Sequence, residues 1–300
     1  MAASDAAGGD AEAGTPPPVL RLRPSDAEGV WPLSVEAGWN QVGADWRLMI
    51  ASGSAFGLKD AAGTWIASAL ALPLGSRVSW ISMVLVTKPA RRQGHGTRLL
   101  RQCMAAIEAT GGAIGLDATE HGRPVYLPLG FRDLYAISRW SLPQAARATP
   151  IAAPAGIAIR PARPDDLERI MANERRLSGL ERRAILDNLL ARAPHLALVA
   201  EHRDASLAGY CLGRDGHRAT HVGPVMAEKQ LVGLALVSRA LAGVRGPAIL
   251  DVPDQHGHIR DWLQSQGAAA PRSFMRMLRG SAPAVEDGSR IMAIAGPELA

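Results

Sequence analysis

The sequence predicts an α/β or α+β fold that occurs twice in the chain. Its length of 300 residues suggests two domains, since domains commonly hold about 100–200 residues. The two halves open alike, at Leu20–Asp26 and Ile157–Asp166, each with a short alternating strand, a turn with proline and acidic residues suited to a helix start. The Ala- and Pro-rich segment 143–156 between them is typical of a linker.

These observations divide the chain into four segments. Residues 1–18 are mainly Ala, Gly, Asp and Pro without apolar periodicity, and we predict a disordered tail. A first domain over 19–142 and a second over 157–300 are joined by the linker at 143–156.

The first domain combines a central helix with several strands. Apolar residues recur at helical spacing from Thr97 to Ala109, which predicts a helix, and a shorter helix is predicted at Pro124–Leu129. Apolar runs bounded by turn residues predict strands at Ile66–Leu72, Val78–Val86, Ile114–Ala118 and Phe131–Trp140.

The second domain repeats this order. Leu231–Leu241 is its central helix. The weak alternation of Arg290–Ala295 fits either a final strand or a frayed tail. Strands are predicted at Leu196–Ala200, Ala208–Gly213, Ala219–Val225 and Ala248–Val252.

Composition and charge exclude several classes of protein. A hydrophobic content of 47% is enough to bury a core, so a wholly disordered chain is excluded. The net charge of +5 comes from scattered arginines, because lysine occurs only at Lys59, Lys88 and Lys229. Nucleic-acid binding would cluster basic residues with aromatics, which are only 4% here, so we expect no nucleic-acid partner. An anionic small ligand remains compatible with the charge.

Cysteines, histidines and apolar runs indicate a cytoplasmic protein without metal. Cys103 and Cys211 lie in different halves and build neither a disulfide framework nor a CxxC site. The histidine pairs at 217/221 and 256/258 lack a third ligand and are expected at the surface. No secretory signal is visible, and the longest apolar run, Ile66–Leu74, is shorter than the roughly 20 residues of a membrane span.

The clearest functional signal is the loop that joins strand Val78–Val86 to helix Thr97–Ala109. Its glycines allow tight turns and a close approach of the backbone to a ligand. The helix start adds unpaired N–H groups and the positive end of a dipole, so the loop is suited to a phosphate or diphosphate. A Gly-x-Gly alone also occurs in ordinary turns. The loop has the sequence Arg91-Arg92-Gln93-Gly94-His95-Gly96-Thr97. This sequence matches neither a Walker loop nor a dinucleotide-binding fingerprint.

Two motifs together resemble the GNAT family of acyl-CoA-dependent N-acyltransferases over about Val19–Leu142. They are Arg91-x-x-Gly94-x-Gly96 and the segment Tyr126-Leu127-Pro128-Leu129-Gly130-Phe131. The resemblance implies a mixed, mostly antiparallel sheet flanked by helices in each half, with acetyl-CoA as co-substrate. It implies that residues 91–97 hold the diphosphate of coenzyme A, and that the backbone near Leu85 and Val86 pairs with its pantetheine arm.

The second half looks like a divergent copy of the same fold. At the equivalent loop it reads Val225–Gly233, without Arg-x-x-Gly-x-Gly, and Glu228 would repel a phosphate. The chain therefore resembles tandem proteins with one intact and one degenerate GNAT domain. We expect only the first half to bind coenzyme A.

Acyl transfer needs a thioester held beside a neutral amine, and a proton for the departing thiolate. The resemblance places the thioester between strands Val78–Val86 and Ile114–Ala118. Tyr126 is the predicted catalytic acid, because a phenol with a pKa of about 10 keeps its proton at neutral pH. The alternative for Tyr126 is a packing role.

The base is left open by the sequence. A water relay is one possibility, and the side chains that could serve instead are Asp117, Glu120, His121 and Asp45. Three tryptophans, of which one or two could line an apolar acceptor pocket and the others pack in the core, are Trp31, Trp39 and Trp46.

The predicted function is transfer of an acetyl group from acetyl-CoA to a primary amine of a small-molecule acceptor. The alternative is a non-catalytic acyl-CoA-binding or sensing module, suggested by the absence of a glutamate from the central strand at Trp80–Val84.

Overall fold

Strands from both halves join in one thirteen-stranded sheet within residues 16–300, which the computed structural model describes. The strands are β1 (Leu20–Arg21), β2 (Ser54–Lys59), β3 (Trp65–Pro73), β4 (Val78–Val86), β5 (Ala113–Ala118), β6 (Arg132–Leu142), β7 (Ile157–Pro161), β8 (Leu198–His202), β9 (Leu207–Arg214), β10 (Thr220–Ala227), β11 (Ala248–Pro253), β12 (Ala269–Arg279) and β13 (Ile291–Ala293). The helices are α1 (Ala27–Glu36), α2 (Gly43–Ser52), α3 (His95–Glu108), α4 (Arg123–Tyr126), α5 (Leu167–Ser178), α6 (Arg183–Arg192), α7 (Gln230–Ala242), α8 (Gly257–Ser265) and α9 (Pro283–Asp287).

The α/β class and the twofold repeat are confirmed, with a mixed, mostly antiparallel sheet flanked by helices. Predicted and observed bounds agree closely for β4 and α3, whose apolar patterns are the most regular. The residues of α3 that give this segment its helical apolar spacing are buried, and they pack against the sheet: Leu99, Leu100, Cys103, Met104 and Ile107. The weakly alternating segment near the end forms β13, and its strand residues are buried.

Two strands are exchanged between the halves. β12 of the second half lies between β5 and β6 and is antiparallel to both. β6 of the first half lies in turn between β12 and β11. Each half thus lends the other a central strand, and the sheet continues across the middle of the molecule without a break.

Strands β4 and β5 separate after a short parallel pairing. They pair at Val78, Ser79 and Trp80, and no further along β4. A Cβ at Gly115 would lie 2.1 Å from the Trp80 ring, so only glycine allows the two strands to meet there. Beyond this point a register shift opposite β3 leaves Met83 with a φ of 52°, and Ser68 Oγ donates a hydrogen bond to the Met83 carbonyl at 2.8 Å. The bulge turns β4 away from β5 and opens a gap between them.

The equivalent gap in the second half is filled by the chain itself. β10 and β11 pair only at Thr220 and His221. β13 then lies against β10, and the N–H of Ile294 donates to the carbonyl of Asp251 in β11 at 2.9 Å. The second half therefore has a strand where the first half has an opening.

Residues 1–15 of the predicted disordered tail lie outside the described residues. The segment 143–156 packs on the second half: the N–H of Thr149 donates to Gln266 Oε1 at 2.9 Å, and the N–H of Ile151 donates to Ser238 Oγ at 2.9 Å. Within the described range, no helix is long and apolar enough to cross a bilayer.

Candidate functional site

The loop before α3 presents a row of unpaired backbone N–H groups. Arg92 and Gly94 have positive φ values of 64° and 78°, and Gly94 caps α3 in the left-handed region. Among residues 16–300, no backbone or side-chain oxygen accepts from the N–H groups of residues 92–97. Left-handed residues directly before a helix start can turn successive amides toward one side of the chain, where they form a concave nest that suits an anion.

The side chains around this nest add positive charge. Arg91 and Arg92 are exposed, and neither forms an ion pair with any carboxylate in the described part of the chain. Arg91 Nε donates to the Val86 carbonyl at 3.0 Å, which fixes the arginine beside the end of β4. At the loop edge, Glu36 Oε1 accepts from the N–H of Lys88 at 2.7 Å.

A cleft of about 810 Å³ runs from this nest into the gap between β4 and β5. Thr119, His121 and Tyr126 line its opposite side. Of the predicted cofactor-binding residues, Gln93 does not line the cleft, and its amide donates instead to the Pro89 carbonyl at 3.4 Å. The ones that do are Leu85, Val86, Arg91, Arg92, Gly94, His95, Gly96 and Thr97.

A second, smaller cavity of about 80 Å³ adjoins the inner end of the cleft. The lining residues common to both are Trp39, Val84, Thr119, Tyr126 and Arg272. The exchanged strand β12 supplies Arg272 and Phe274, and the segment after β13 supplies Pro297 and Glu298. The carbonyl of Pro297 accepts a hydrogen bond from Trp80 Nε1 at 3.0 Å, which holds that segment against β4. Both halves of the chain therefore form this cavity.

Tyr126 lies at the junction of the cleft and the cavity. It is half-buried, its ring centroid is 5.9 Å from that of Phe131, and its hydroxyl has no hydrogen-bond partner among residues 16–300. Burial raises the pKa of Tyr126 to about 12. The phenol is therefore protonated at neutral pH and can donate its proton into the junction.

The carboxylates considered as bases are mostly engaged elsewhere. Asp117 lines the cavity, but both of its oxygens accept from Arg276 at 2.8 Å. Burial raises the pKa of Asp117, and Arg276 only partly offsets this effect. Asp45 does not line the cavity and is buried in ion pairs. Glu120 is exposed and lines neither the cleft nor the cavity, and His121 lines only the cleft.

Charged side chains around the small cavity form pairs, with one exception. Asp251 holds Arg139 through two bonds of 2.7 Å, and this arginine outweighs the cost of burial and keeps the pKa of Asp251 below its usual range. Glu298 is paired with Arg214.

Arg272 lies over the Trp39 and Phe274 rings, 5.8 and 5.2 Å from their centroids, and has no ion-pair or hydrogen-bond partner within residues 16–300.

The sequence did not reveal Arg272, Phe274 or Glu298 as site residues. They come from the half without the phosphate loop, and only the strand exchange brings them to β4.

The expectation of surface histidines is wrong for His221 and His256, which are buried at 1% exposure. Of the three tryptophans, Trp39 lines the cavity, Trp46 is buried in the core and Trp31 packs edge-on against His217. No cluster of three metal-ligating side chains occurs in the described residues.

The equivalent loop of the second half is built differently. The N–H of Glu228 is already bound to the Ala208 carbonyl at 2.9 Å. Its carboxylate accepts from Arg176 at 2.7 Å and lies 3.0 Å from His202 Nε2. A carboxylate therefore stands where the first half offers amides, and β13 fills the gap behind it.

The Acetyltransferase (GNAT) domain family matches residues 27–137 and, in a second form, residues 170–293, and the chain belongs to this family with two such domains in tandem. Membership supports acyl transfer from an acyl-CoA.

Several relatives match over most of the chain. It is 26% identical over 250 residues to the "Uncharacterized N-acetyltransferase YitH" of Bacillus subtilis (strain 168), covering 83% of this chain and 86% of that protein. A proposed acetyltransferase of Pyrococcus horikoshii has a similar crystal structure, with a TM-score of 0.73 and 19% identity over 94% of this chain and 95% of that one. A tandem GNAT protein from the clavulanic acid biosynthesis pathway aligns with a TM-score of 0.59 and 15% identity, covering 88% and 99% of the two chains. The structural likenesses show the fold alone.

Proposed function

We propose that the first half transfers an acetyl group from acetyl-CoA to the primary amine of a small acceptor. The observation that carries this proposal is the continuous path from the unpaired amides of residues 92–97, through the β4–β5 gap, to Tyr126 and the small cavity. A cofactor with a diphosphate at one end and a thioester at the other fits such a path.

The residues present fit coenzyme A. The amides of residues 92–97, with Arg91 and Arg92, would hold the diphosphate by hydrogen bonds and charge. The edge of β4 that faces the gap is unpaired beyond Trp80, so backbone groups near Leu85 and Val86 can pair with the amides of the pantetheine arm. Because Arg91 already occupies the Val86 carbonyl, the other backbone groups of this edge are the ones available.

Tyr126 supplies the proton that the reaction needs. The amine nitrogen attacks the carbonyl carbon of the thioester of acetyl-CoA. As the new C–N bond forms and the C–S bond breaks, the hydroxyl of Tyr126 donates its proton to the departing sulfur. The amine loses a proton, which water in the open cleft can accept, and Tyr126 recovers its own from solvent.

The second half serves the site without binding a cofactor of its own. β13 fills its gap, and Glu228 repels phosphate at its loop. We therefore expect one coenzyme A per chain.

Calorimetry and a thiol-release assay test this function. Titration with coenzyme A should give a stoichiometry of one, and acetyl-CoA with a library of small amines should release free thiol in an amine-dependent manner. Absence of binding at millimolar coenzyme A would end the proposal.

The second candidate is an acyl-CoA-sensing module. It is favoured by one observation: both carboxylates that line the cavity, Asp117 and Glu298, are held by arginines. Binding without amine-dependent thiol release would select this function over the transferase.

A further inference from the structure

The charges around the small cavity do not balance. Its lining contains four charged side chains, and three of them are neutralised by a buried partner: Asp117 by Arg276, Arg139 by Asp251 and Glu298 by Arg214. Arg272 forms no ion pair within residues 16–300, and the one carboxylate whose charge acts on it, Asp251, is already bound by Arg139. The cavity therefore has one positive charge to offer to a ligand.

Arg272 is also held in a geometry suited to recognition. Its guanidinium lies over the Trp39 and Phe274 rings, at 5.8 and 5.2 Å from their centroids, within the range of cation–π contacts. Arg139 lies 5.2 Å from the centroid of the same Phe274 ring, but Asp251 occupies its N–H groups. Contacts with two rings restrict where a guanidinium lies and leave its N–H groups free, and these N–H groups match the two oxygens of a carboxylate.

The position of Arg272 limits how far its ligand lies from the reaction. Arg272 and Tyr126 both line the cleft and the small cavity, at the junction of the two. An anion bound by Arg272 would thus be close to the thioester. The cavity volume of about 80 Å³ is suited to a small molecule, so an amine and an anionic group must be only a few bonds apart.

We propose that Arg272 binds the carboxylate of the acceptor, so that the substrates are small amino acids or similar amines with a nearby carboxylate. This inference rests on the proposed function, because it assigns the acceptor of that same site. The carboxylate could instead belong to the acyl group, as in succinyl-CoA, and the test has an arm for that source.

Matched acceptors test the inference directly. Each common amino acid is assayed beside its decarboxylated amine and its amide, with acetyl-CoA as donor. The two analogues lack the carboxylate and bracket the basicity of the amino acid's amine, so amine pKa cannot account for a preference over both. We expect at least about a tenfold higher kcat/KM for the preferred amino acid, the loss expected for one charge-assisted hydrogen-bonded pair.

Variants assign the preference to Arg272. In Arg272→Gln the preference should vanish through a higher KM for the amino acid, with an unchanged KM for acetyl-CoA. Arg272→Lys should restore part of it. Arg245→Gln is the matched control, because Arg245 is exposed and makes no ion pair within the described residues.

Each failure has its own meaning. Equal rates for amino acids and both analogues would overturn the inference and leave the transferase standing. So would an Arg272→Gln defect confined to the KM of acetyl-CoA. A preference for succinyl-CoA over acetyl-CoA that Arg272→Gln abolishes would overturn it by moving the carboxylate to the acyl group. Absence of coenzyme A binding would remove the proposed function and this inference together.

Discussion

The carboxylate of Asp45 in α2 lies 2.7 Å from Nη1 of Arg192 in α6, although the two residues are 147 positions apart along the chain. Arg214 Nε lies 3.3 Å from the same oxygen. The other oxygen of Asp45 accepts from the N–H of Val42 at 2.9 Å and caps α2. Asp45, which the sequence suggested as a possible base, thus joins the two halves.

Replacing Asp45 by Asn should destabilise the whole protein. The change removes the buried carboxylate that Arg192 and Arg214 share, so that each arginine keeps a single carboxylate partner, and this loss typically costs about 1–3 kcal/mol of unfolding free energy. Urea denaturation measures it. Glu28→Gln is the control, because Glu28 pairs with Arg47 at the surface and its loss should cost at most about 1 kcal/mol. Similar losses of unfolding free energy in the two variants would contradict the assignment of Asp45 as a buried ion-pair partner that joins the two halves.

Gly94→Ala should weaken cofactor binding beyond its effect on stability. Gly94 has a φ of 78° and Gly63 a φ of 82°, and an added Cβ meets nothing within 4 Å at either position. Both substitutions should therefore cost about 1–2 kcal/mol in backbone strain. Only Gly94 lies in the amide nest, so only Gly94→Ala should raise the KM for acetyl-CoA, by an expected factor of about ten. An unchanged KM in that variant would remove the nest from the binding site.

Tyr126→Phe should lower kcat by about 100-fold or more with little change in the KM for acetyl-CoA, because it removes a general acid. Since burial raises the pKa of Tyr126 to about 12, the wild-type rate should show no descending limb from this group below about pH 10. Tyr135→Phe is the control, because that hydroxyl accepts from Arg276 and lines neither cavity. A wild-type profile retained in Tyr126→Phe would exclude Tyr126 from the chemistry.

Stability should fall as the pH drops below neutral, partly because of His221. Burial lowers the pKa of His221, Arg214 adds to this effect, and Asp251 opposes it. His221 therefore binds a proton near pH 6.5 in the unfolded chain, whereas in the folded protein it binds this proton only at a lower pH. The unfolding free energy consequently decreases as the pH falls through this range.

Urea denaturation at about pH 7.5 and about pH 5.5, two values that flank the ordinary histidine pKa, measures this loss of unfolding free energy. His221→Gln should reduce the difference between the two values. His195→Gln, at an exposed position, should leave it unchanged. An undiminished difference in His221→Gln would show that other groups carry the pH dependence.

Cutting the chain between the halves should not separate them. A protease site inserted between Ala152 and Ala153 lies in a segment without helix or strand. Because β6 and β12 each lie inside the sheet of the other half, the cleaved halves should co-elute in size-exclusion chromatography and retain activity. Elution as two separate species would contradict the exchanged topology.

Local patterns predicted much of this molecule, and non-local pairing accounts for what they missed. The apolar spacing of α3 and the apolar run of β4 are properties of a few adjacent residues, and both were predicted correctly. The amide nest follows from glycines at a strand–helix junction, which is also local. Arg272 and Glu298 reach the cavity only through β12 and the segment after β13, and no periodicity states which strands become neighbours. The burial of His221 beside Asp251 depends on the same long-range packing.

The strand exchange also bears on how such a chain can evolve. Deleting the copy without the phosphate loop would remove the wall that contains Arg272 and Phe274, and would leave β5 and β6 with bare edges prone to aggregation. We therefore expect selection to maintain the second copy for its shape, even though its own gap does not have to stay open. Two copies joined by exchanged strands are not redundant: we expect that one can diverge in its chemistry but that neither can be lost.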